Sequence, residues 1–280
     1  MKQFWICPKC GALLSFSEKT ARCPAGHCYD LAKEGYVNLL LSGGGIHGDS
    51  REMVVARRRF LAGGAYEPLR RTVAELVCRY LPKGGTLLDA GCGEGYYTEG
   101  VADGLNAQGK DADIFAFDIS RDAARNTAKR RRGISVAVAS AYAIPAVGEG
   151  ADLITDLFSP MATTEFARVL KPRGILLLVI PDREHLFGLK RVLYDTPYKN
   201  EVADTDLPGF SLVENREIRY SLTLTGKEKI ADLFYMTPYA YRTSAKDKEK
   251  LALRDTLTTD VHFRILIYRK GDCQATQGMI

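Results

Sequence analysis

The sequence predicts an α/β protein: a doubly wound, mostly parallel sheet with an antiparallel edge strand, preceded by a small metal-binding domain. Three observations predict it. Five short apolar runs, TLLDAG (86–91), DIFAFDI (113–119), SVAVAS (135–140), ADLITDLF (151–158) and GILLLVI (174–180), are separated by helical segments. They show no strict polar alternation, so both of their faces are buried, as in a parallel sheet. The first run ends in a glycine-rich turn, the ligand-binding position of a doubly wound sheet. Four of the seven cysteines fall within the first 28 residues, which favours metal over disulfides in a chain that shows no secretion signal.

Taken in order, residues 1–41 form the Cys-rich unit, closing on YVNLLL. SGGGIHGDS (42–50) has the composition of a flexible linker, with His47 as a linker residue. Asp49 or Ser50 then caps a helix through REMVVARRRFLAG, with Glu52 placed for a capping box from Asp49. A second helix, about 66–81, carries Leu69, Val73, Leu76, Val77 and Tyr80 at helical spacing. Residues 42–84 thus lead into a second domain over 85–270. After its parallel strands come an extended stretch (210–225), a helix near 227–236 and HFRILIYRK (262–270), read as antiparallel edge strands. The tail, 271–280, is expected to be disordered.

No apolar run is long enough to span a bilayer, so the reading is a cytoplasmic protein with no membrane partner. Residues 1–80 hold 12 basic and 7 acidic residues, whereas 81–280 hold 27 of each. The whole basic excess therefore belongs to the N-terminal part, which suits a polyanionic partner such as RNA, although an excess of five is common in proteins that bind none.

Cys7 and Cys10 form a CxxC knuckle; Cys23 follows after twelve residues and His27 four residues later. Thiolates and imidazole at this spacing suit a structural, tetrahedral zinc, in which four protein ligands leave no open position for catalysis. Cys28 is adjacent and is an alternative to His27 as fourth ligand.

In LLDAGCGEGYYTEG (87–100) the glycines run G-x-G-x-G, not the G-x-G-x-x-G of a dinucleotide site. Asp89 precedes the loop, and a carboxylate there repels a pyrophosphate but suits the ammonium of a methionine moiety. Asp118 closes the second strand, placed to accept two ribose hydroxyls, and Ser140 closes the third, where adenine would lie. Together Asp89, Gly91, Gly93, Asp118 and Ser140 point to S-adenosylmethionine and a methyltransferase. Cys92 in this loop reads as a small packing residue.

At this point the sequence resembles the bacterial 23S ribosomal RNA (guanine-N1)-methyltransferases, over roughly residues 5–270. The Cys7/Cys10/Cys23/His27 set carries the resemblance, together with YDLAKEGYVNLL (29–40), GDSREMVVARRRFLAGGAYEPL (48–69), LLDAGCGEGYYT (87–98) and MTPYAYR (236–242). It implies a zinc module that helps recognise 23S rRNA, a class I (Rossmann-like) methyltransferase domain and a homodimer. It further implies that Tyr66 and His185 join the cofactor site beside the Gly93-Glu94 loop. One branch of the family is linked to resistance to macrolides such as tylosin, and PYKNEV (197–202) and LFSPM (157–161) incline the chain toward that Gram-positive branch.

Guanine N1 carries a proton, so methylating it calls for a base or for support of charge on O6. Asp156 is a candidate base and Phe158 a candidate stacking surface, against the plainer readings of a strand-end carboxylate and a core ring. Arg57–Arg59 fan around their helix, and one or two of them are expected on phosphate; the run Lys129–Arg132 reads as a solvated helix end. A small-molecule methyltransferase is the competing enzyme class, since it shares the cofactor loop, although it has no evident use for the zinc module. A non-catalytic RNA-binding factor is a third reading, against which the intact cofactor set argues.

Overall fold

The computed structural model describes residues 3–41, 48–130, 133–202 and 204–272. The N-terminal ribbon is a three-stranded antiparallel sheet of β1 (Ser15–Phe16), β2 (Thr20–Arg22) and β3 (Cys28–Asp30), followed by β4 (Val37–Asn38). Helices α1 (Arg51–Ala62) and α2 (Glu67–Tyr80) come next. The main sheet is then built from β5 (Gly85–Ala90), α3 (Tyr96–Ala107), β6 (Ala112–Asp118), α4 (Arg121–Lys129), β7 (Ile134–Val138), β8 (Ala151–Leu157), α5 (Thr163–Val169) and β9 (Leu170–Pro181). α6 (Phe187–Leu193), β10 (Phe210–Thr225), α7 (Lys227–Tyr235), α8 (Tyr239–Arg242), α9 (Ala245–Ala252) and β11 (Thr256–Lys270) complete it.

The strand order is β10-β11-β9-β8-β5-β6-β7-β4, parallel from β9 to β4, with β11 antiparallel to β9 and β10 antiparallel to β11. This is the expected doubly wound sheet with its antiparallel edge. All six residues of β5 are buried, as an interior parallel strand requires. The chain leaves β5 toward β6 and β7, then returns to its other side at β8, so the carboxyl ends of β5, β6 and β8 flank the switch point.

Alternate side chains point to opposite faces. Leu87, Leu153, Leu177 and Val179 pack with Leu69, Val73 and Leu76 of α2 and with α3. Leu88, Phe115, Ile154, Leu176 and Leu178 pack on the other face, where α5 supplies only Phe166 and Val169. The connection from β7 to β8, residues 139–150, contains no helix. The ribbon covers the sheet there instead. Phe4 stacks on Phe115 at 4.3 Å, Trp5 meets the same ring edge-on at 5.7 Å, and Trp5 Nε1 donates to Ser135 Oγ at 2.9 Å. Ile6 N–H donates to Pro145 O, and Val147 N–H to Phe4 O. β4 then adds a parallel edge to the main sheet, pairing Val37 with Ala137 and Asn38 with Val138. The unit at 1–41 therefore shares its core with the domain behind it.

Of the two caps expected for α1, the structure selects Ser50, which accepts from Met53 N–H at 3.2 Å; Asp49 is taken by an ion pair with Arg57, so the capping box expected from it does not form. The linker stretch 42–47 with His47, Arg131 and Arg132, and the tail 273–280 lie outside the described residues. Among the described residues no helix is long and apolar enough to cross a membrane.

Candidate active site and metal centre

The turn after β5 is shaped by glycine. Gly91, Gly93 and Gly95 all have positive φ, at 74°, 56° and 85°, a region that other residues enter only with strain. At Gly91 there is also no space, because a Cβ would lie 2.4 Å from Ser159 Cβ. Gly91 and Cys92 N–H both donate to Phe117 O at 2.9 Å, and Gly93 N–H donates to Asp118 Oδ2 at 2.9 Å. The loop is thus tied to the end of β6. Asp118 Oδ1 accepts from Ser120 N–H at 2.8 Å. Burial raises the Asp118 carboxyl to about 6, against the two N–H groups that favour its charged form.

Asp89 is buried between three elements. Its Oδ2 accepts from Thr98 Oγ1 at 2.5 Å and its Oδ1 from Thr155 Oγ1 at 2.9 Å. Burial pushes its carboxyl up as well, while the two hydroxyls oppose that. Both oxygens are already engaged, so a ligand ammonium would share them or reach them through water. Glu94 is turned toward Arg130, whose Nη2 lies 2.5 Å from Oε2. Its Oε1 is buried with no hydrogen-bond partner. Ser140 stands just beyond β7, accepting from Tyr142 N–H at 3.2 Å. Tyr66 and His185, far apart in sequence, meet with OH and Nε2 3.5 Å apart. His185 Nδ1 accepts from His262 N–H at 3.3 Å, and burial lowers the imidazole to about 3, so it is neutral.

Tyr66, Asp89, Gly91, Gly93, Glu94, Asp118, Ser140 and His185 all line one cavity of about 1070 Å³, at the upper end of the usual size for a small-molecule site. Glycine turns that admit close backbone approach, an acidic residue at the end of β6 and the unpartnered Glu94 oxygen fit an adenosyl and amino-acid ligand of this size.

The structure adds wall residues that the sequence reading did not assign to the site. Gly48 lies on the end of β6, where a Cβ would come within 2.8 Å of Ile119 Cγ2. Arg57 points into the cavity, held by Asp49 and by Met236 O at 3.3 Å. Tyr241 OH and Ser50 Oγ are 2.7 Å apart. The N-terminus of α1 and residues 236–242 therefore close one side together. Their signal was present as the GDSREM and MTPYAYR blocks, whose role spacing alone does not disclose. Of the other arginines, Arg59 is committed to Asp232 at 2.5 Å and Arg58 is exposed. Arg130 is not a solvated helix end, since it pairs with Glu94 and Glu99.

Asp156 and Phe158 separate. Asp156 is fully buried and does not line the cavity. Its Oδ1 accepts from Ser159 N–H at 3.2 Å and from Ser159 Oγ at 2.6 Å, so it braces the turn and is not placed as a base. Burial raises it to about 7. Phe158 lines the cavity, is 45% exposed and adopts a φ of 63°, a strained conformation of the kind that gathers at functional sites. Cys92 is buried against Thr127, its thiol raised by burial, as a packing residue should be.

In the ribbon, Cys7, Cys10, Cys23 and His27 bring their ligand atoms within 4.8 Å of one another. Cys10 and Cys23 sulfurs are 3.6 Å apart, and His27 Nδ1 is 3.4 Å from Cys23 Sγ and 3.5 Å from Cys7 Sγ. Two sulfurs on a tetrahedral zinc stand about 3.8 Å apart, given Zn–S bonds of about 2.3 Å, so the set fits the ion. Gly26, at a φ of 84°, turns His27 into the cluster. Cys28 is exposed and outside it. Tyr29 OH lies 3.1 Å from Cys7 Sγ, a support behind the ligands.

Two family models match parts of this chain. Residues 5–41 match the zinc-ribbon family described as RlmA, N-terminal, and residues 81–234 match the family described as Methyltransferase domain. A Streptomyces fradiae protein named 23S rRNA (guanine(748)-N1)-methyltransferase is 31% identical, covering 91% of each chain. A Micromonospora griseorubida protein, provisionally named 23S rRNA (guanine-N1)-methyltransferase, is 33% identical over 94% of this chain and 96% of its own. YxjB of Bacillus subtilis, provisionally named for the same activity, is 32% identical over 91% of this chain and 92% of its own.

Proposed function

This chain belongs to the family of 23S rRNA (guanine-N1)-methyltransferases, and from that premise we propose that it moves the methyl group of S-adenosylmethionine onto N1 of a guanine in 23S rRNA. The observation that carries the reading is the presence, in one chain, of a Cys3His ribbon and a cavity lined by the glycine turn and Asp118. A small-molecule methyltransferase needs only the second.

The bound donor supplies an electrophilic methyl on sulfur. The chain has to hold and align it. Asp118 receives the ribose hydroxyls, Ser140 borders the adenine, and the backbone at Gly91 and Gly93 admits the donor closely. Asp89 and the free Glu94 oxygen serve its amino-acid end, with neutral His185 and Tyr66 walling the cavity beyond. Zinc, held by Cys7, Cys10, Cys23 and His27, is structural because four protein ligands fill its coordination.

Guanine N1 lies on the Watson–Crick edge, so the target must be unpaired or turned out of its stack. That suits a guanine in a hairpin loop and gives Phe158 a base to cover. Residues 1–41 act as the rRNA-recognition module and 85–270 as the catalytic domain, with α1, in the 42–84 segment, supplying one wall of the cavity. The enzyme works where ribosomes are, in the cytoplasm, as a homodimer, and protection against a macrolide is its expected phenotype. The test is transfer from labelled S-adenosylmethionine to 23S rRNA lacking its own hairpin methylations, mapped by reverse transcription. One new stop at a hairpin-loop guanine is expected. Donor binding without transfer to ribosomal or naked RNA overturns the reading.

A further inference from the structure

Away from Asp118, five rings gather on the cavity wall: Tyr66, Tyr97, Phe158, His185 and Phe263. Phe263 is central, with centroids 5.1 Å from Tyr66, 5.1 Å from Phe158 and 4.4 Å from His185. Tyr97 faces Phe158 at 6.4 Å. Strand order fixes which part of a ligand meets them. Asp118 and Ser140 stand at the ends of β6 and β7, and the glycine turn at the end of β5. Phe158 directly follows β8, His185 lies beyond the end of β9 and Phe263 is in β11, all on the other side of β5. A donor whose ribose rested on Asp118 would reach across the turn after β5, and its methyl would then lie toward the rings. The ring cluster is then the berth of a flat acceptor, an inference that rests on the function proposed above.

Within this apolar berth the polar atoms are few. Tyr66 OH and His185 Nε2 face each other, and His185 Nδ1 is taken by a backbone N–H. The Tyr97 hydroxyl is buried and has no hydrogen-bond partner. Leaving such a group unpaired is unfavourable, and a ligand that accepts from it removes that cost. Burial holds the phenol well above its ordinary range, so it stays protonated and acts as a donor, not a base.

We propose that the Tyr97 hydroxyl donates a hydrogen bond to O6 of the acceptor guanine and is a catalytic residue of the methyl transfer. N1 attacks the methyl carbon, the N1–C bond forms as the C–S bond breaks, and the C–S electron pair returns to sulfur, leaving a thioether. The N1 proton passes to water. As it leaves, negative charge builds across N1–C6–O6, where a donor already in place stabilises it. Adenine has no carbonyl at that position, so the same hydroxyl selects guanine.

Tyr97→Phe keeps the ring and removes only the hydroxyl. The variant should lose about tenfold to hundredfold in kcat on unmethylated 23S rRNA. KM for RNA, and Kd for S-adenosylhomocysteine by calorimetry, should stay within about threefold. The rising limb of kcat with pH should move to higher pH, because the deprotonated acceptor has lost its support; a packing defect moves the amplitude of that profile and not its position. A kcat within about twofold of the parent overturns the proposal, and so does a loss confined to weaker donor binding. Parallel assay of the parent protein separates the two readings. If the parent transfers to rRNA and the variant does so equally well, only the role of Tyr97 falls; if the parent transfers none, the acceptor assignment falls and the proposal with it.

Discussion

The ribbon and the main sheet are held together by opposite means. The ribbon's strands are two or three residues long, and most of their side chains are exposed or half-buried. In the main sheet β5 is buried throughout, β8 nearly so, and β9 from Gly174 to Ile180. The sheet is ordered by burial, at roughly 25 cal/mol for each Å² of apolar surface removed from water. The ribbon has too few residues for that and relies on four ligand atoms and on the face it leans against. The sheet depends on the ribbon in turn, because Phe4 and Trp5 cover a stretch that its own β7–β8 connection leaves without a helix.

Metal removal should break this contrast most. Structural zinc in small modules contributes on the order of 10–16 kcal/mol of apparent binding free energy at neutral pH. Chelation, or Cys23→Ser, should unfold the ribbon while most of the main sheet persists in circular dichroism. Trp5 is the single tryptophan and is 1% exposed, so its emission should shift to the red. Unchanged emission after the metal is stripped would mean that the sheet alone holds the ribbon. Trp5→Ala comes next: a buried aromatic truncated to alanine costs about 3–5 kcal/mol. Melting temperature should fall sharply while bound zinc, measured by atomic absorption, stays near one per chain.

Asp118 probes the sheet side. Its folded-state value of about 6 lies above the roughly 3.9 of an unfolded chain. Keeping it charged therefore destabilises the ligand-free fold above pH 6, and that penalty disappears as pH falls toward 4. Asp156, raised to about 7, acts in the same direction. Donor binding runs the other way, since a protonated carboxyl is a poorer acceptor for ribose hydroxyls. Affinity for S-adenosylhomocysteine should fall as pH drops through 6, and Asp118→Asn should weaken it about tenfold and flatten that dependence. The smallest effect belongs to Cys28→Ser. Exposed and outside the cluster, it should change stability by less than about 0.5 kcal/mol and leave zinc content unaltered; zinc loss would return Cys28 to the ligand set.

Chemistry that lies close in sequence was legible there. The ligand spacing and the glycine turn are local patterns, and Asp89, Gly91, Gly93, Asp118 and Ser140, read from them, line the cavity; Tyr66, Glu94 and His185, which only the resemblance supplied, line it too. The choice between His27 and Cys28 was not legible, because it depends on the turn at Gly26. Nor was the service of Phe4 and Trp5 as cover for the sheet: they precede any periodic segment, and their partners Phe115 and Ser135 lie more than a hundred residues away. The choice between Asp49 and Ser50 as cap stayed open for a like reason: a capping residue and an ion-pair partner look alike until Arg57 is placed. Asp156 shows the same limit, since a strand-end carboxylate can face a ligand or brace its own turn, and only the position of Ser159 decides.

The pairing of β4 with β7 joins Val37 to Ala137, one hundred residues further along. Such a contact is slow to form, because the entropy of closing the loop must be met before the pairing stabilises anything. During synthesis the ribbon emerges first and can load its ion well before its place in the sheet exists. Until it docks, β7 presents an open strand edge, the feature through which folding chains aggregate. Zinc supply during synthesis is thus expected to set the yield of chains that close the edge before another chain reaches it, a dependence that the soluble fraction recovered with and without added zinc would measure.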